Sequence, residues 1–204
     1  MAQTVSGKTP ADLILDSRYL VNDADSDAGY FASDTEFLSW FNQARFAVCR
    51  DGHGIQETED IDLATATVNY TPVNDYIDIV GVHYINTSSA SKALLRGNIN
   101  KIGHIYDVNE PTYWDEFDGQ LWIYPALDAR TTETIKAFQI SMPNSTLALT
   151  DSIDTPAIFD LSITYFMAAQ YYFKEEKYSS HAQMMAKFDE IMYANRLELN
   201  DAKK

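Results

Sequence analysis

"DTPAIFDLSITYFMAAQYYFKEEKY", at residues 154–178, is where the chain returns to helical spacing after a β-rich middle. Asp154 or Thr155 suits a helix cap and Pro156 suits the first turn, so the pattern predicts that a helix begins there. Its apolar positions are Ile158, Leu161, Ile163, Tyr165, Phe166, Ala169, Tyr172 and Phe173. Because they surround the helix on nearly every side, the stretch predicts a central, mostly buried helix.

Two helices are predicted before residue 55, and each begins with a capping box. Thr9 and Asp12 have the required spacing for a first helix that runs to about Val21, and Ser33 and Glu36 have it for a second helix. The apolar face predicted for the first helix consists of Leu13, Ile14, Tyr19 and Leu20. The apolar stripe of the second helix includes Phe37, Phe41 and Val48 and is widened by Trp40 and Ala47.

A last helix is predicted to begin at Ser179 or Ser180. Its apolar side consists of Met184, Met185, Phe188, Ile191, Met192 and Leu199. The helical spacing of these residues agrees with a fold in which the terminal helices pack together.

The middle of the chain changes to strand patterns. Residues 61–70 and 76–85 are rich in β-branched and aromatic residues and predict a first hairpin. A second hairpin is centred on Asp118-Gly119, a dipeptide typical of tight turns between antiparallel strands. Residues 132–143 predict a further strand, whereas residues 91–105 fit either a short helix or irregular structure.

This order of elements favours an α+β protein. We predict a helical bundle built from the N- and C-terminal helices, with an inserted antiparallel β domain of hairpins. The predicted helical scaffold comprises residues 1–58 and 150–204, and the inserted β-rich region comprises residues 59–149.

Charge and composition exclude several classes of protein. The 204 residues carry a formal net charge of -15, which repels both nucleic-acid backbones and anionic membrane surfaces. The sequence predicts neither a signal peptide nor a membrane-spanning segment, so we expect an intracellular protein without a membrane partner. The single cysteine, Cys49, lies in an apolar helical pattern and is expected to be buried and inert.

The acidic stretch at residues 22–36 raises the question of a metal site. Its aspartates with calcium-loop spacing are Asp23, Asp25, Asp27 and Asp34. The loop has Ala28 where the sharp turn requires glycine, and its last position lacks the longer glutamate. The same residues suit the end of one helix and the cap of the next. We interpret the loop mainly as a helix connection and leave open whether it binds a cation.

Candidate catalytic groups are scattered. The four histidines, which form no metal-ligand pattern, are His53, His83, His104 and His181. Asp115 and Glu116 are adjacent on a predicted strand, so their side chains point to opposite faces and cannot flank one glycosidic bond. No nucleotide or nucleophile motif is present, so we expect neither an enzyme nor a cofactor.

The order and spacing of several segments resemble the head-to-tail adaptor proteins of tailed bacteriophages, also called connector or tail tubular proteins, in their larger class with a β insertion. The segments that carry the resemblance are "SDTEFLSWFNQARFAVCR" (33–50), "VNYTPVNDYIDIVGV" (68–82), "EPTYWDEFDGQLWIYPAL" (110–127), "TIKAFQISMP" (134–143) and "DTPAIFDLSITYFMAAQYYFKEE" (154–176). The resemblance covers about residues 9–195.

The resemblance implies a structural virion protein of the neck or tail, assembled in the host cytoplasm. It implies a ring of twelve copies below the portal protein that extends the DNA channel and provides a platform for tail or nozzle proteins. DNA would pass through without specific binding. By position, the resemblance also implies a portal interface formed by Asn195, Arg196, Leu197, Glu198, Asn200, Lys203 and Lys204.

An alternative from another class is a monomeric binding module. It would bind calcium through the acidic loop, or carbohydrate through the aromatic residues Tyr113, Trp114 and Trp122, which we expect to be exposed. Ring formation and calcium binding are the observations that separate the two hypotheses.

Overall fold

A computed structural model describes most of the chain. The described residues are 5–23, 31–73, 76–86, 88–98, 110–127, 133–143 and 145–201. For residues 199–201 the description covers the backbone only. Residues 1–55 and 142–204 form one compact unit, the helical unit, and residues 56–141 form a second, the β unit.

The described residues form an α+β protein with four α-helices and two sheets. The helices are α1 (Pro10–Val21), α2 (Asp34–Gly52), α3 (Asp160–Lys174) and α4 (Tyr178–Asp201), and a 3-10 turn, Ala157–Phe159, precedes α3. The strands are β1 (Gln56–Asp62), β2 (Asn69–Tyr70), β3 (Tyr76–Ile85), β4 (Ser91–Ala93), β5 (Leu95–Arg96), β6 (Tyr113–Phe117), β7 (Gln120–Tyr124) and β8 (Thr134–Ser141).

Both predicted capping boxes are confirmed. The Thr9 hydroxyl accepts a hydrogen bond from the Asp12 amide while the Asp12 carboxylate accepts one from the Thr9 amide, and Ser33 and Glu36 exchange the same pair of bonds. Asn22 adopts a left-handed conformation (φ 61°) and ends α1. These local hydrogen bonds explain why the starts of both helices are readable from the sequence.

The predicted cap of the central helix is wrong. The chain first forms the 3-10 turn, and α3 then begins at Asp160 with no side-chain cap at Phe159. Asp154 instead binds the guanidinium of Arg45, with Nε to Oδ1 at 2.6 Å and Nη2 to Oδ2 at 2.5 Å. A bidentate ion pair with a buried arginine is a stronger interaction than a cap, which explains the difference.

Helix α3 is the centre of the helical unit, because α1, α2 and α4 all pack against it. The fully buried side chains of this core include Leu13, Phe37, Phe41, Val48, Phe159, Ile163 and Met167. The prediction that α3 is mostly buried holds for one side only, since Leu161 and Phe173 are 53% and 54% exposed. Helix α4 begins at Tyr178, one or two residues before the predicted start, and among its described side chains only Phe188 is deeply buried.

The β unit contains two four-stranded sheets. The first has the order β1-β8-β3-β4 and is antiparallel throughout. The second has the order β2-β7-β6-β5, in which only the β5-β6 pair is parallel among the described strands. Side chains from both sheets form one core, which includes Val82, Tyr84, Trp114, Leu121, Ile123 and Ile135.

The predicted hairpin between residues 61–70 and 76–85 is wrong. Strand β8 lies between β1 and β3 and pairs with both, while the two residues of β2 pair with β7 in the other sheet. The reason is packing, since β8 carries the fully buried Ile135, Ala137 and Ile140 and therefore occupies an interior position of the sheet. An alternating pattern predicts a strand but does not identify its partner.

The second predicted hairpin is confirmed. Strands β6 and β7 pair from Phe117 opposite Gln120 to Tyr113 opposite Tyr124, and Asp118 and Gly119 form the turn with φ angles of 54° and 68°. Two successive positive φ values are the signature of a type I′ turn. The strand predicted at 132–143 is β8, and the described part of residues 91–105 forms β4 and β5 rather than a helix.

Candidate assembly surfaces

The two ends of the acidic stretch are held together by Arg18, which is only 2% exposed. Its Nη1 donates to Asp23 Oδ2 at 2.8 Å, and its Nη2 donates to Asp34 Oδ1 at 2.7 Å and to the Ala32 carbonyl at 2.9 Å. The guanidinium also lies 4.6 Å from the ring centre of Phe37. Asp23 and Asp34 therefore neutralise a buried arginine.

Asp25 and Asp27 lie outside the described residues, so the cation question stays open for that part of the loop. Within the described ranges, no group of three or more His, Cys, Asp or Glu side chains is arranged to hold a metal ion. The oxygens of Asp23 are already bonded, because Oδ2 binds Arg18 and Oδ1 accepts from the Phe31 amide at 3.0 Å. Arg18 thus neutralises the carboxylates at both ends of the acidic stretch, as expected for a helix connection.

The candidate catalytic residues for which the structure gives a position are not brought together. His83 contacts the Ser91 hydroxyl, His181 contacts the Ala169 carbonyl, and His53 ends α2 in a left-handed conformation. His104 lies outside the described residues. Cys49 is fully buried, and this burial raises the pKa of its thiol to about 12, which confirms the expected inert cysteine.

The proposed carbohydrate platform is not formed. Trp114 is only 3% exposed and packs in the core of the β unit, where Arg96 lies 4.8 Å from its ring centre. Tyr113 is exposed, whereas Trp122 is only partly so. The expectation of three exposed aromatics is wrong for Trp114, because the inward face of β6 forms part of the core between the sheets.

Five of the seven predicted portal residues, numbers 195–198 and 200, belong to the last turns of α4. Two of them are bonded within the helical unit, since Asn195 Nδ2 donates to the Ile158 carbonyl at 2.5 Å and Arg196 Nη1 donates to the Asp51 carbonyl at 3.1 Å. Leu197 and Glu198 are exposed. Asn200 lies in α4 without a described side chain, and Lys203 and Lys204 lie outside the described residues.

An apolar groove, the α1/α4 groove, runs along one side of the helical unit. It consists of two adjoining recesses of about 600 and 340 Å³ that share Leu20 and Tyr165. Met184 and Glu190 of α4 line the larger recess, and Leu161 lines the smaller one. Leu20 and Leu161 are 38% and 53% exposed, so a considerable apolar surface faces solvent here.

A second groove, the α2 groove, shares no lining residue with the first. It has a volume of about 630 Å³ and is lined by Ser39, Asn42, Gln43, Phe46, Ala47, Arg50, Met142, Thr146 and Phe166. Phe46 is 41% exposed on the outer side of α2. Because Tyr165 and Phe166 are consecutive on α3, the two grooves meet that helix about 100° apart.

The sequence pattern does not indicate the α1/α4 groove or the α2 groove. The predicted face of α1 included Tyr19 and Leu20, yet Tyr19 is 67% exposed and only Leu13 and Ile14 of that set are buried. An apolar residue in a helical pattern looks the same whether it faces the core or a partner, so the sequence carries no signal that separates them.

Comparison with known protein families identifies a family for this chain. The model of the family described as SU10 adaptor protein matches residues 8–202 of the chain. A comparison with curated proteins finds no match. Among the described residues, no helix is both long and apolar enough to cross a membrane.

Proposed function

Because the chain belongs to the SU10 adaptor protein family, whose members are structural head-to-tail adaptors of phages, we propose that it assembles as a ring below the portal of the virion neck. The ring has twelve copies, extends the DNA channel and provides the platform on which tail or nozzle proteins assemble. The family match over residues 8–202 is the observation that carries this proposal.

The two units have different roles in this proposal. The helical unit is the scaffold of the ring, with the β unit as an insertion between its N- and C-terminal parts. The exposed end of α4, beginning at Leu197 and Glu198, contacts the portal protein. Asn195 and Arg196 support this end from within, because both bond to backbone carbonyls of the helical unit. The β unit contacts tail components.

Ring formation is tested by light scattering and negative-stain imaging of the full chain, alone and with its portal protein. We expect rings of uniform size in at least one of these conditions. A chain that stays monomeric with the portal present, and shows no binding to it, would refute the proposal.

We also propose that part of the acidic surplus lines the channel. The net charge of -15 leaves many carboxylates unpaired, and a negative wall prevents the phosphate contacts that would make passing DNA adhere. Strand β1 offers two exposed acids for a test, Asp60 and Asp62, which lie on the same face of the strand. If they line the channel, virions with both neutralised eject their DNA more slowly; an unchanged ejection rate would exclude this face of β1 from the wall.

A further inference from the structure

The α1/α4 groove and the α2 groove are two different apolar surfaces of the helical unit. A symmetric dimer uses the same surface on both copies and would need only one of them. In a ring, each copy contacts its two neighbours through different surfaces, so one surface must fit the other rather than itself. The α1/α4 groove and the α2 groove share no residue. This inference rests on the proposed ring and concerns which surfaces close it.

The two grooves differ in the charged residues that line them. Lys8 pairs with Asp16 and Lys187 pairs with Glu190 along the α1/α4 groove, and Asp160 adds a further carboxylate. None of the described residues that line the α2 groove is acidic, and Arg50 supplies a positive charge. In a chain with a net charge of -15, most surfaces of two copies repel each other, so a groove free of carboxylates is suited to contact an acidic one.

The neighbourhood of Arg50 strengthens this difference. Asp51 binds Arg50 through both carboxylate oxygens, at 2.8 and 2.7 Å, and the Arg196 guanidinium donates to the Asp51 carbonyl at 3.1 Å. The Asp51 carboxylate thus pairs with Arg50 while Arg196 bonds to the Asp51 backbone, and the formal charges of these three side chains sum to +1 at the end of α2. Asp160 leaves an excess negative charge in the α1/α4 groove, so the two charges are complementary.

The exposed apolar side chains of the two grooves are also complementary in shape. Phe46 provides a bulky aromatic ring on the α2 side, and Leu20 and Leu161 provide aliphatic side chains beside recesses of about 600 and 340 Å³. Aromatic side chains that enter a recess lined by aliphatic ones are typical of the centre of an interface.

We infer that the α2 groove of one copy docks on the α1/α4 groove of the next copy, with Phe46 placed against Leu20 and Leu161 of its neighbour. The partner is a second copy of this chain, and the contact is heterologous. Repetition of this contact around the axis closes the ring.

Two single variants test the contact. Phe46→Asp places a carboxylate in the α2 groove, and Leu161→Asp places one in the α1/α4 groove. Both residues are well exposed, so the fold is expected to persist, which circular dichroism checks. We expect each variant alone to need at least a tenfold higher concentration than the wild type for half-maximal ring assembly.

Mixing the two variants distinguishes a heterologous contact from a symmetric one. Phe46→Asp keeps an intact α1/α4 groove and Leu161→Asp keeps an intact α2 groove, so one good contact can form between them. Light scattering of an equimolar mixture should therefore show dimers, while each variant alone stays monomeric and no rings appear. A mixture that stays monomeric would overturn the inference.

Phe173→Asp is the matched control, because Phe173 also lies on α3 and is 54% exposed, but it lines neither groove. It should assemble like the wild type, and equal loss of assembly in this control would overturn the inference. Wild-type rings that persist in both groove variants would refute the assigned contact but leave the proposed function intact. Absence of wild-type rings and of portal binding would refute both.

Discussion

At the residue scale, the ion pair between Arg45 and Asp154 links α2 to the segment that leads into α3. Arg45 is 1% exposed, and its Nη1 also donates to the Ser145 carbonyl at 2.6 Å. We predict that Asp154→Asn lowers the free energy of unfolding by about 2–3 kcal/mol, because it leaves a buried guanidinium without its counter-charge. This is below the full cost for a buried pair, since the Asp154 side chain is 39% exposed to water. Urea denaturation measures the change.

Asp16→Asn is the control for this prediction, because Asp16 forms an ion pair with Lys8 in which both side chains are 46% exposed. Exposed pairs contribute at most about 1 kcal/mol, so the control should change the stability little. If Asp154→Asn and Asp16→Asn lower the free energy of unfolding by the same amount, burial of Arg45 does not determine the strength of its ion pair.

Glu36 links the start of α2 to Lys174 at the end of α3. The Lys174 ammonium, followed by the amide and hydroxyl of Ser33, lowers the pKa of Glu36 from 4.5 to about 2. Because the folded-state pKa lies below the ordinary value, the stabilisation is present above about pH 4.5 and is lost as the pH falls towards 2. We predict that Glu36→Gln, which retains a capping side chain, is less stable than the wild type at pH 7 by on the order of 1 kcal/mol or less, given the exposure of the pair.

The measurement is the melting temperature of both proteins as a function of pH. The difference between wild type and Glu36→Gln should shrink between pH 4.5 and 2, as Glu36 becomes protonated and the two side chains become equivalent in charge. A difference that stays constant over this range would show that the ion pair with Lys174 makes no contribution.

At the element scale, the features that could be predicted from the sequence are those decided by neighbouring residues. The capping boxes at Thr9 and Ser33 and the Asp118-Gly119 turn depend on hydrogen bonds and φ angles within four residues, and all three are confirmed. The partners of β1 and β3 depend on β8, which lies at least 49 residues further along the chain, and local pattern contains no information on that pairing.

The same distinction between local and long-range interactions explains why the candidate surfaces could not be predicted from the sequence. The predicted portal interface at the end of α4 comes from the family resemblance alone. The residue pattern contains no indication of the two grooves. Whether Leu161 faces the core or solvent depends on how α4 and α1 cross α3, which is set by packing between elements. Sequence pattern predicts that a helix has an apolar face, and the structure shows which part of that face stays uncovered.

The β6-β7 turn provides a test at this scale. We predict that Gly119→Ala destabilises the β unit by about 1–2 kcal/mol, because alanine is strained at a φ of +68° even though no atom lies near its Cβ. Gly81→Ala is the control, since the nearest atom to its Cβ is Phe138 Cδ2 at 4.0 Å and its φ is not positive. Thermal unfolding followed by tryptophan fluorescence reports on both, and equal stability of the two variants would contradict the assigned turn.

At the scale of the whole molecule, assembly of the ring and attachment to the portal depend on different surfaces in this proposal. The grooves that we assign to ring closure lie along α1, α2, α3 and residues 183–190 of α4, whereas the proposed portal contact begins further along α4, at Leu197. The intramolecular bonds of Asn195 and Arg196 separate the two regions, because they fix α4 to the helical unit just before its exposed end.

Deletion of residues 197–204 tests this separation. The truncated chain keeps Asn195 and Arg196, so we predict that it folds and assembles into rings as the wild type does but binds the portal at least tenfold more weakly, a loss of about 1.4 kcal/mol in binding free energy. Asn195→Ala in the full chain is the comparison, because it removes the hydrogen bond to the Ile158 carbonyl while retaining every proposed contact residue after it. Sedimentation with purified portal rings measures binding. If the truncated chain binds the portal as tightly as the wild type, the contact lies elsewhere on the ring; if it no longer forms rings, attachment and ring closure share the end of α4.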